Sequence, residues 1–230
     1  MHIQSKALAL SAALLGGVAL SAGGAFAQDE EIQSAEDQIV NILQEPRHRI
    51  VHNDGDIWVL DIQINPGDAT KRHTHDSAIL YTFISSGTGP SGGRLNSNTD
   101  YVEENYTHRA RNEGPGLFRI IAVANYGEPQ EELTAGRPTG LEGEPALENP
   151  WFRSYRMTLK PDEMTPPQNH ENPTVVVQVT EGISHVTRED GITAEFTGMG
   201  SWTWRDANSP FQIHNASSHD IEVVINEARR

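Results

Sequence analysis

Three histidines of this sequence are spaced so that one metal ion can lie between them. His73 and His75 flank Thr74 at the entrance to an apolar run, and alternate residues of a strand point the same way. His108, which we expect on a facing strand, can complete the set. Neutral imidazole suits Fe, Zn, Cu and Ni, whereas Mn prefers more oxygen ligands. The pattern therefore predicts a divalent-metal site, with Fe, Mn, Zn, Ni and Cu all remaining as options. Three imidazoles leave coordination positions open, which is the arrangement that a catalytic site needs.

The segment that carries this pair of histidines occurs twice. Residues 66–87 and 161–182 have the same length, and each passes through a polar corner containing His into an apolar strand that ends on Gly. At an offset of 95, the matched residues are His75 and His170, Leu80 and Val175, and Gly87 and Gly182. A repeat of this kind predicts two similar domains in tandem. The alternative is a coincidence of strand and turn signals within one larger sandwich.

Short runs rich in Val, Ile, Thr and aromatic residues must supply the elements that position these side chains. They are separated by Gly, Asn and Asp, which predicts an all-β sandwich or barrel. The predicted strands are 57–64, 79–84, 117–124, 154–159, 175–180, 193–197, 201–204 and 221–225. One short helix is expected ahead of them, within residues 28–45, with Ser34 as its N-cap and Pro46 as its end.

The two copies resemble the sequence signatures of the cupin superfamily (RmlC-like jelly rolls). The first signature is glycine, five residues, His-x-His, three or four residues, glutamate, six residues and glycine, and the second ends in histidine, three residues and asparagine. The matching residues here are Gly67, His73, His75, Gly87, His108 and Asn112. The resemblance implies two cupin barrels in tandem, with a metal held by the three histidines of the first barrel.

One position departs from the family pattern. Leu80 stands where the cupin signature has its glutamate, and leucine cannot bind an ion. The resemblance implies either a three-histidine member that uses dioxygen or a member that binds no metal. Three neutral ligands would keep the full charge of a divalent ion and favour an anionic chelating substrate. In an active site of this kind we expect Leu80 to line the substrate space.

The second copy is degenerate. Gln168 replaces the first histidine, His170 remains, and His214 takes the place of the third ligand, with Ser218 at the asparagine position. Two histidines and a glutamine bind metal poorly compared with three histidines. We therefore expect the second barrel to be structural, and nothing in the spacing of His185 makes it a substitute ligand.

Three further residues are candidates for substrate binding in the first barrel. Arg109 and Arg111 flank His108 and could orient an anionic molecule, although such arginines often pair with surface acids. Tyr81 lies on the face of its strand opposite Leu80, and alternation alone does not decide which face lines a cavity.

The overall composition restricts the kinds of partner that this protein is expected to bind. The formal net charge of −15 argues against nucleic acid and against anionic lipid surfaces, so a small-molecule ligand or substrate is expected.

The N-terminus has Lys6, an apolar run and Ala25-Phe26-Ala27, which is typical of a cleaved signal peptide and of a periplasmic or secreted protein without a membrane span after processing. There is no Cys, so stability must come from packing, from a metal or from oligomerisation, for which a homodimer through the N-terminal segment is one option.

These observations predict an order of domains and two functions of different classes. The domain boundaries are 1–27 for the signal peptide, 28–46 for an acidic helical segment, 47–127 for the first barrel, 128–150 for a linker rich in Pro, Gly and Glu, and 151–230 for the second barrel. The leading hypothesis is a metal-dependent enzyme, dioxygenase-like or lyase/isomerase-like, acting on a small anionic organic molecule. The alternative is a non-catalytic cupin that binds a metabolite or a sugar.

Overall fold

The computed structural model describes residues 38–230, and this part of the chain is almost entirely β-structure with two short 3-10 turns and no α-helix. The strands are β1 Val40–Asn41, β2 His48–Asp54, β3 Ile57–Ile64, β4 His73–His75, β5 Ala78–Ser86, β6 Pro90–Asn98, β7 Tyr106–His108, β8 Phe118–Asn125, β9 Leu147–Glu148, β10 Phe152–Leu159, β11 Thr174–Gln178, β12 Ser184–Arg188, β13 Thr193–Phe196, β14 Trp202–Arg205, β15 Phe211–Asn215 and β16 Ile221–Ala228. The 3-10 turns are Ile42–Gln44 and Asp100–Val102. The prediction of an all-β protein is confirmed. Among these residues, no helix has the length and apolar character needed to cross a membrane.

Each half of the chain builds a five-stranded sheet and a three-stranded sheet. In the first half the strand orders are β2-β3-β8-β5-β6 and β1-β4-β7, and in the second half they are β14-β11-β16-β10-β9 and β13-β12-β15. The pairing is antiparallel except between β1 and β4. The sheets of each half form an open jelly roll of the kind that the cupin resemblance predicts.

Two asparagines mark corresponding positions in the halves. Asn112 donates from its amide to the carbonyls of Ile64 and Gly116, each at 2.8 Å. Asn215 donates in the same way to the carbonyls of Leu159 and His219, at 2.9 and 2.8 Å. Because each amide closes the end of a strand and the following turn, the repeat extends from the sequence into the hydrogen-bonding pattern.

The two halves share an apolar core in which their five-stranded sheets pack against each other. The buried residues of this core are Ile57, Val59, Ala78, Leu80, Ile84, Ile121, Val123, Phe152, Val175, Val177, Val179, Val224 and Ala228. A buried hydrogen bond of 2.9 Å from the Asn226 amide to the Thr82 hydroxyl also joins the halves. Burial on this face means that β5 and β11 are enclosed on both sides, which explains their nearly continuous apolar sequences.

The predicted N-terminal helix is wrong for the residues that the structure describes. Val40 pairs in parallel with His73, and Asn41 accepts a hydrogen bond from the Leu43 amide at the start of a single 3-10 turn. Ile42 is fully buried in the interior of the first half. Pairing with β4 satisfies the backbone and buries the apolar residues, so tertiary contacts override the local helical periodicity. Ser34, the predicted N-cap, lies outside the described residues.

The segment predicted as a linker, residues 128–150, is anchored to the second half. The buried guanidinium of Arg153 donates to the carbonyls of Leu133, Ala135 and Gly136 at 2.6 to 2.8 Å. Arg229 donates to the carbonyl of Glu132 at 2.6 Å. The segment has few apolar residues of its own to bury. Its path is fixed instead by hydrogen bonds from the buried arginines to its main-chain carbonyls.

Candidate metal centre

Two short strands bring the three predicted histidines together. His73 on β4 is paired directly with His108 on β7, and His75 follows two residues later on the same face. The Nε2 atoms of His75 and His108 lie 3.0 Å apart. One nitrogen from each of the three rings lies within 4.8 Å of the others. Imidazole nitrogens bind Zn²⁺ at about 2.0–2.1 Å, so the three rings are able to hold a single ion after small adjustments.

The hydrogen bonding of His73 fits a metal ligand. Its Nδ1 donates to the Lys71 carbonyl at 2.9 Å, which leaves Nε2 as the nitrogen with a free lone pair. That Nε2 is buried and has no hydrogen-bond partner among residues 38–230. A backbone carbonyl that fixes the tautomer and orientation of an imidazole is the usual support of a metal-bound histidine. The donor set therefore fits a divalent transition metal whose identity is open.

The three imidazoles are neutral at ordinary pH. Burial, followed by the neighbouring rings of His73 and His108, lowers the pKa of His75 to about 3. Burial and then His73 lower the pKa of His108 to about 4, and burial also lowers the pKa of His73. Removal of an imidazole from water favours its neutral form, and for His73 this effect outweighs the nearby Glu45 carboxylate, which acts in the opposite direction. Each ring therefore presents a lone pair without first losing a proton.

A fourth histidine lies beside this cluster, and the sequence analysis missed it. His48, at the start of β2, is 5% exposed, and its ring centroid lies 4.4 Å from that of His73 and 6.4 Å from that of His75. Burial, then His73 and His75, holds its pKa well below the usual value. Its Nδ1 is buried without a hydrogen-bond partner among the described residues. No spacing signal could have revealed it, because only the sheet order brings β2 near β4.

Three tyrosines form an aromatic wall over the histidines. The Tyr81 hydroxyl lies 3.4 Å from His75 Nδ1, and burial raises the pKa of Tyr81 above its usual value. The rings of Tyr101 and Tyr106 are stacked, with centroids 5.2 Å apart and an angle of 6° between their planes. Tyr101 lies 5.3 Å from the His75 ring, and Tyr106 lies 5.0 Å from the His108 ring. The face of β5 that alternation left undecided is therefore the one with Tyr81 beside the histidines, whereas Tyr101 and Tyr106 were not anticipated.

Leu80 does not line this site. It is fully buried in the core between the two five-stranded sheets, on the face of β5 opposite the histidines. The residues of β5 that face the interior of the first half are Ile79, Tyr81 and Phe83. The expectation that Leu80 lines the substrate space is therefore wrong. Both faces of β5 are buried, and for that reason apolar character could not distinguish the face that packs on the second half from the face that lines the site.

The structure does not bring Arg109 and Arg111 to the histidines. Both are exposed, and they line a surface depression that also includes Lys71 and Asp68 but none of the three histidines. Arg111 has Glu113 at 4.0 Å as its nearest acidic contact. The strand β7 ends at His108, so the residues after it no longer follow the alternation that directs His108 inwards.

A different arginine lies on the wall of the site. The Arg94 guanidinium carbon lies 3.8 Å from the centroid of the Phe83 ring, in cation–π geometry. Phe83 lies 6.0 Å from Tyr81, which in turn lies 6.5 Å from His75. Arg94 is exposed on the edge strand β6. It places a positive charge two side chains away from the histidines, along the face of β5 and β6 that carries Tyr81.

The second half has no matching set of ligands. Gln168 and His170 do lie together, with Gln168 Oε1 3.1 Å from His170 Nε2. His170 Nδ1 donates to Glu227 at 2.6 Å, and Glu227 in turn accepts from Arg153 at 3.0 Å. Phe211 stacks on the His170 ring at 5.5 Å between centroids. Both nitrogens of His170 are therefore occupied by protein atoms, and an aromatic ring fills the neighbouring space.

His214 and Ser218 are not the counterparts of His108 and Asn112. Phe211 is the residue that pairs with Gln168, in the way that His108 pairs with His73. Asn215, not Ser218, makes the hydrogen bonds of Asn112, so the offset between the copies changes from 95 to 103 in this part of the chain. Additional residues between the two signatures of the second copy cause this change. His214 points to the outer face of β15 and lies opposite His185.

No protein-family model matches the sequence, and no curated protein matches it. Among solved structures, AerE from Microcystis aeruginosa has a TM-score of 0.51 at 12% identity, over 81% of this chain and 99% of that chain. A salicylate 1,2-dioxygenase from Pseudaminobacter salicylatoxidans has a TM-score of 0.55 at 12% identity, over 80% and 77%. A Cupin 2 conserved barrel domain protein from Leptotrichia buccalis has a TM-score of 0.49 at 13% identity, over 79% and 88%. At these identities a likeness speaks for the fold alone, and this chain shares the jelly-roll fold of AerE and of the salicylate 1,2-dioxygenase.

Proposed function

We propose that this chain is an exported, metal-dependent enzyme that binds a divalent transition metal at His73, His75 and His108 and acts on a small anionic organic molecule. The observation that carries the proposal is the convergence of three neutral imidazoles, one of them with a buried and unpaired Nε2. Structural histidines of a β-sandwich normally have their ring nitrogens hydrogen-bonded when buried. A divalent ion bound between the three rings would supply the partner that the buried Nε2 of His73 lacks.

The residues around the histidines suit an anionic aromatic substrate. A bound divalent ion would supply a full positive charge and open coordination positions, since its protein ligands are neutral. The stacked rings of Tyr101 and Tyr106 offer a flat apolar surface on which an aromatic ring can pack. The Tyr81 hydroxyl can donate to a substrate oxygen, and Arg94 supplies a cation for a carboxylate along the same wall.

The reaction and the substrate class of this proposal are chosen by analogy with proteins that share the fold. One of the similar structures is a salicylate 1,2-dioxygenase, and a variant of it in complex with gentisate has a TM-score of 0.51 at 12% identity. Salicylate and gentisate are hydroxybenzoates, which combine a ring, a carboxylate and an oxygen able to chelate a metal. We therefore propose dioxygenase-like cleavage of a hydroxylated aromatic acid, and a metal-assisted lyase or isomerase as the second candidate reaction.

Oxygen uptake tests this proposal directly. The mature protein, loaded separately with Fe²⁺, Mn²⁺, Zn²⁺ and Ni²⁺, is incubated with salicylate, gentisate and a non-aromatic dicarboxylate, and oxygen and products are followed. We expect oxygen consumption with one of the aromatic acids in the Fe²⁺ form. It should be lost in His108→Ala and unchanged in Arg111→Ala, whose side chain lies in the separate surface depression.

The remaining outcomes distinguish the alternatives. Product formation without oxygen consumption identifies a lyase or isomerase. The chain would be a binding protein if it contains one metal per chain and binds the acids saturably but forms no product, with or without oxygen. Binding that is equal in wild type and His108→Ala would contradict a role for the metal site in either activity.

Export is part of the proposal and has its own measurement. Residues 1–27 carry the features of a signal peptide with a cleavage site before Gln28. Expression of the full chain in a Gram-negative host should yield a periplasmic protein whose N-terminal sequence begins at Gln28 or within two residues of it. Recovery of protein that begins at Met1 in the membrane fraction would contradict a cleaved leader.

A further inference from the structure

Side chains with metal-binding atoms form a row on the outer face of the second half, far along the chain from the first-half histidines. Across the sheet β13-β12-β15, Glu195 is paired directly with His185, and His185 is paired directly with His214. On the side of His214 away from His185, Met164 pairs with His214 in an isolated antiparallel β-bridge. Residues paired directly across antiparallel strands project to the same face with Cβ atoms about 4.5–5.5 Å apart. We call these four residues the outer row.

The outer row faces solvent. Val186 and Ile213, which alternate with the two histidines along β12 and β15, are fully buried, whereas the side chains of His185 and His214 are 33% and 27% exposed. The two ring centroids are 5.9 Å apart, with 38° between the ring planes. Two rings on directly paired residues at this separation are close enough to share an ion after rotation about their side-chain bonds.

Carboxylates accompany both histidines. His185 Nε2 lies 3.6 Å from Glu195, and His214 Nε2 lies 3.4 Å from Asp162. Both carboxylates are largely exposed, so neither contact is rigid. Asp162 adds an oxygen donor at the end of the row that Met164 occupies. The outer row and Asp162 together offer two imidazoles, one thioether and two carboxylates, spread across β13, β12, β15 and the segment that carries Met164.

Met164 is the member that narrows the choice of metal. It is 56% exposed, although methionine is among the residues most often buried. The thioether sulfur of an exposed methionine is accessible to an ion from solvent, and it is a soft ligand that selects Cu(I). Imidazole also suits copper, and Cu²⁺ lies at the top of the affinity order for divalent first-row ions.

We propose that the outer row binds one copper ion through His185, His214 and Met164, with Glu195 or Asp162 completing the coordination of the oxidised ion. This site is separate from the enzyme site proposed above: it lies on the other half of the molecule, and its residues include none of the three first-half ligands. Because it is open to solvent and built from adjustable side chains, it exchanges copper with small chelators rather than burying it.

Copper titration of the purified mature protein tests the assignment. Cu⁺ affinity is measured under ascorbate by competition with a chromogenic cuprous chelator, and Cu²⁺ binding is measured by electron paramagnetic resonance. We expect His185→Ala and His214→Ala each to bind one copper fewer than wild type. Met164→Leu should weaken Cu⁺ binding at least tenfold while changing Cu²⁺ binding much less. His219→Ala, an exposed histidine outside the row, is the matched control and should behave as wild type.

The outcomes that overturn the site are equally specific. Copper stoichiometry that is unchanged in His185→Ala and His214→Ala, or that falls in His73→Ala alone, places copper in the first half and removes the outer row as a site. Equal Cu⁺ affinity in Met164→Leu and wild type removes the thioether ligand and with it the choice of copper. Circular dichroism of each variant confirms folding, which these surface changes should not disturb. Failure of the enzyme proposal leaves these results unaffected, since neither His185 nor Met164 belongs to that site.

Discussion

Replacing His75 by alanine is expected to remove one equivalent of bound metal from the protein. His75 is buried and lies 3.0 Å from His108 between Nε2 atoms, and the other histidine of β4, His73, is already a ligand of the same ion. Loss of a group that merely supports a ligand costs about 10–100-fold in metal affinity, so loss of a ligand should exceed that range. Elemental analysis and a competition titration with Zn²⁺ or Fe²⁺ measure the effect.

The control for this prediction is His219→Ala, which should retain the full metal content. The pH dependence gives a second criterion. Because burial lowers the pKa of His75 to about 3 and that of His108 to about 4, both rings remain neutral at pH 5 and protons do not compete for the site. We therefore expect the first-half metal to stay bound at pH 5. Loss of this metal between pH 7 and pH 6, as for ordinary exposed imidazoles, would contradict the assigned ligands.

Replacing Arg153 by alanine should give the largest loss of stability among the polar substitutions considered for this chain. Its side chain is 0% exposed and donates to Glu227 at 3.0 Å and to Glu148 at 2.7 Å, besides three main-chain carbonyls of the segment 128–150. Removing one member of a buried ion pair leaves an uncompensated charge, which costs about 3–5 kcal/mol. Urea unfolding of the mature protein measures the change.

Arg188→Ala is the matched control for Arg153→Ala. Arg188 pairs with Asp190 at 2.6 Å, but both side chains are more than one third exposed. An exposed pair of this kind contributes about 0–1 kcal/mol. Equal losses of stability in the two variants would contradict the view that the buried charges around Arg153 hold the segment 128–150 and His170 in place.

The sequence by itself determined the features that depend on residues close together in the chain. Alternation within His73-Thr74-His75 was enough to put two imidazoles on one face, and the short β-branched runs were enough to predict an all-β fold. The spacing from His108 to Asn112 also held, because both ends of that motif lie in one strand and the turn after it. The repeat of residues 66–87 in residues 161–182 was detectable for the same reason, since each copy is a single continuous segment of the same length.

Tertiary structure alone decided the features that depend on which elements meet. Val40 and Ile42 read locally as helix, yet pairing with β4 and burial made them a strand and a 3-10 turn. Local spacing could not place Phe211 instead of His214 opposite Gln168, because the intervening loops have changed length between the copies.

The side that β5 turns towards the histidines was decided in the same way. Leu80 and Tyr81 are adjacent and both belong to buried surroundings, so only the packing of the second half against β5 shows that Tyr81 faces the site. His48 and the stacked pair of Tyr101 and Tyr106 join the cluster through contacts between segments distant in sequence. The burial of a side chain depends on all the elements that pack around it, so it cannot be predicted from the periodicity of a single strand.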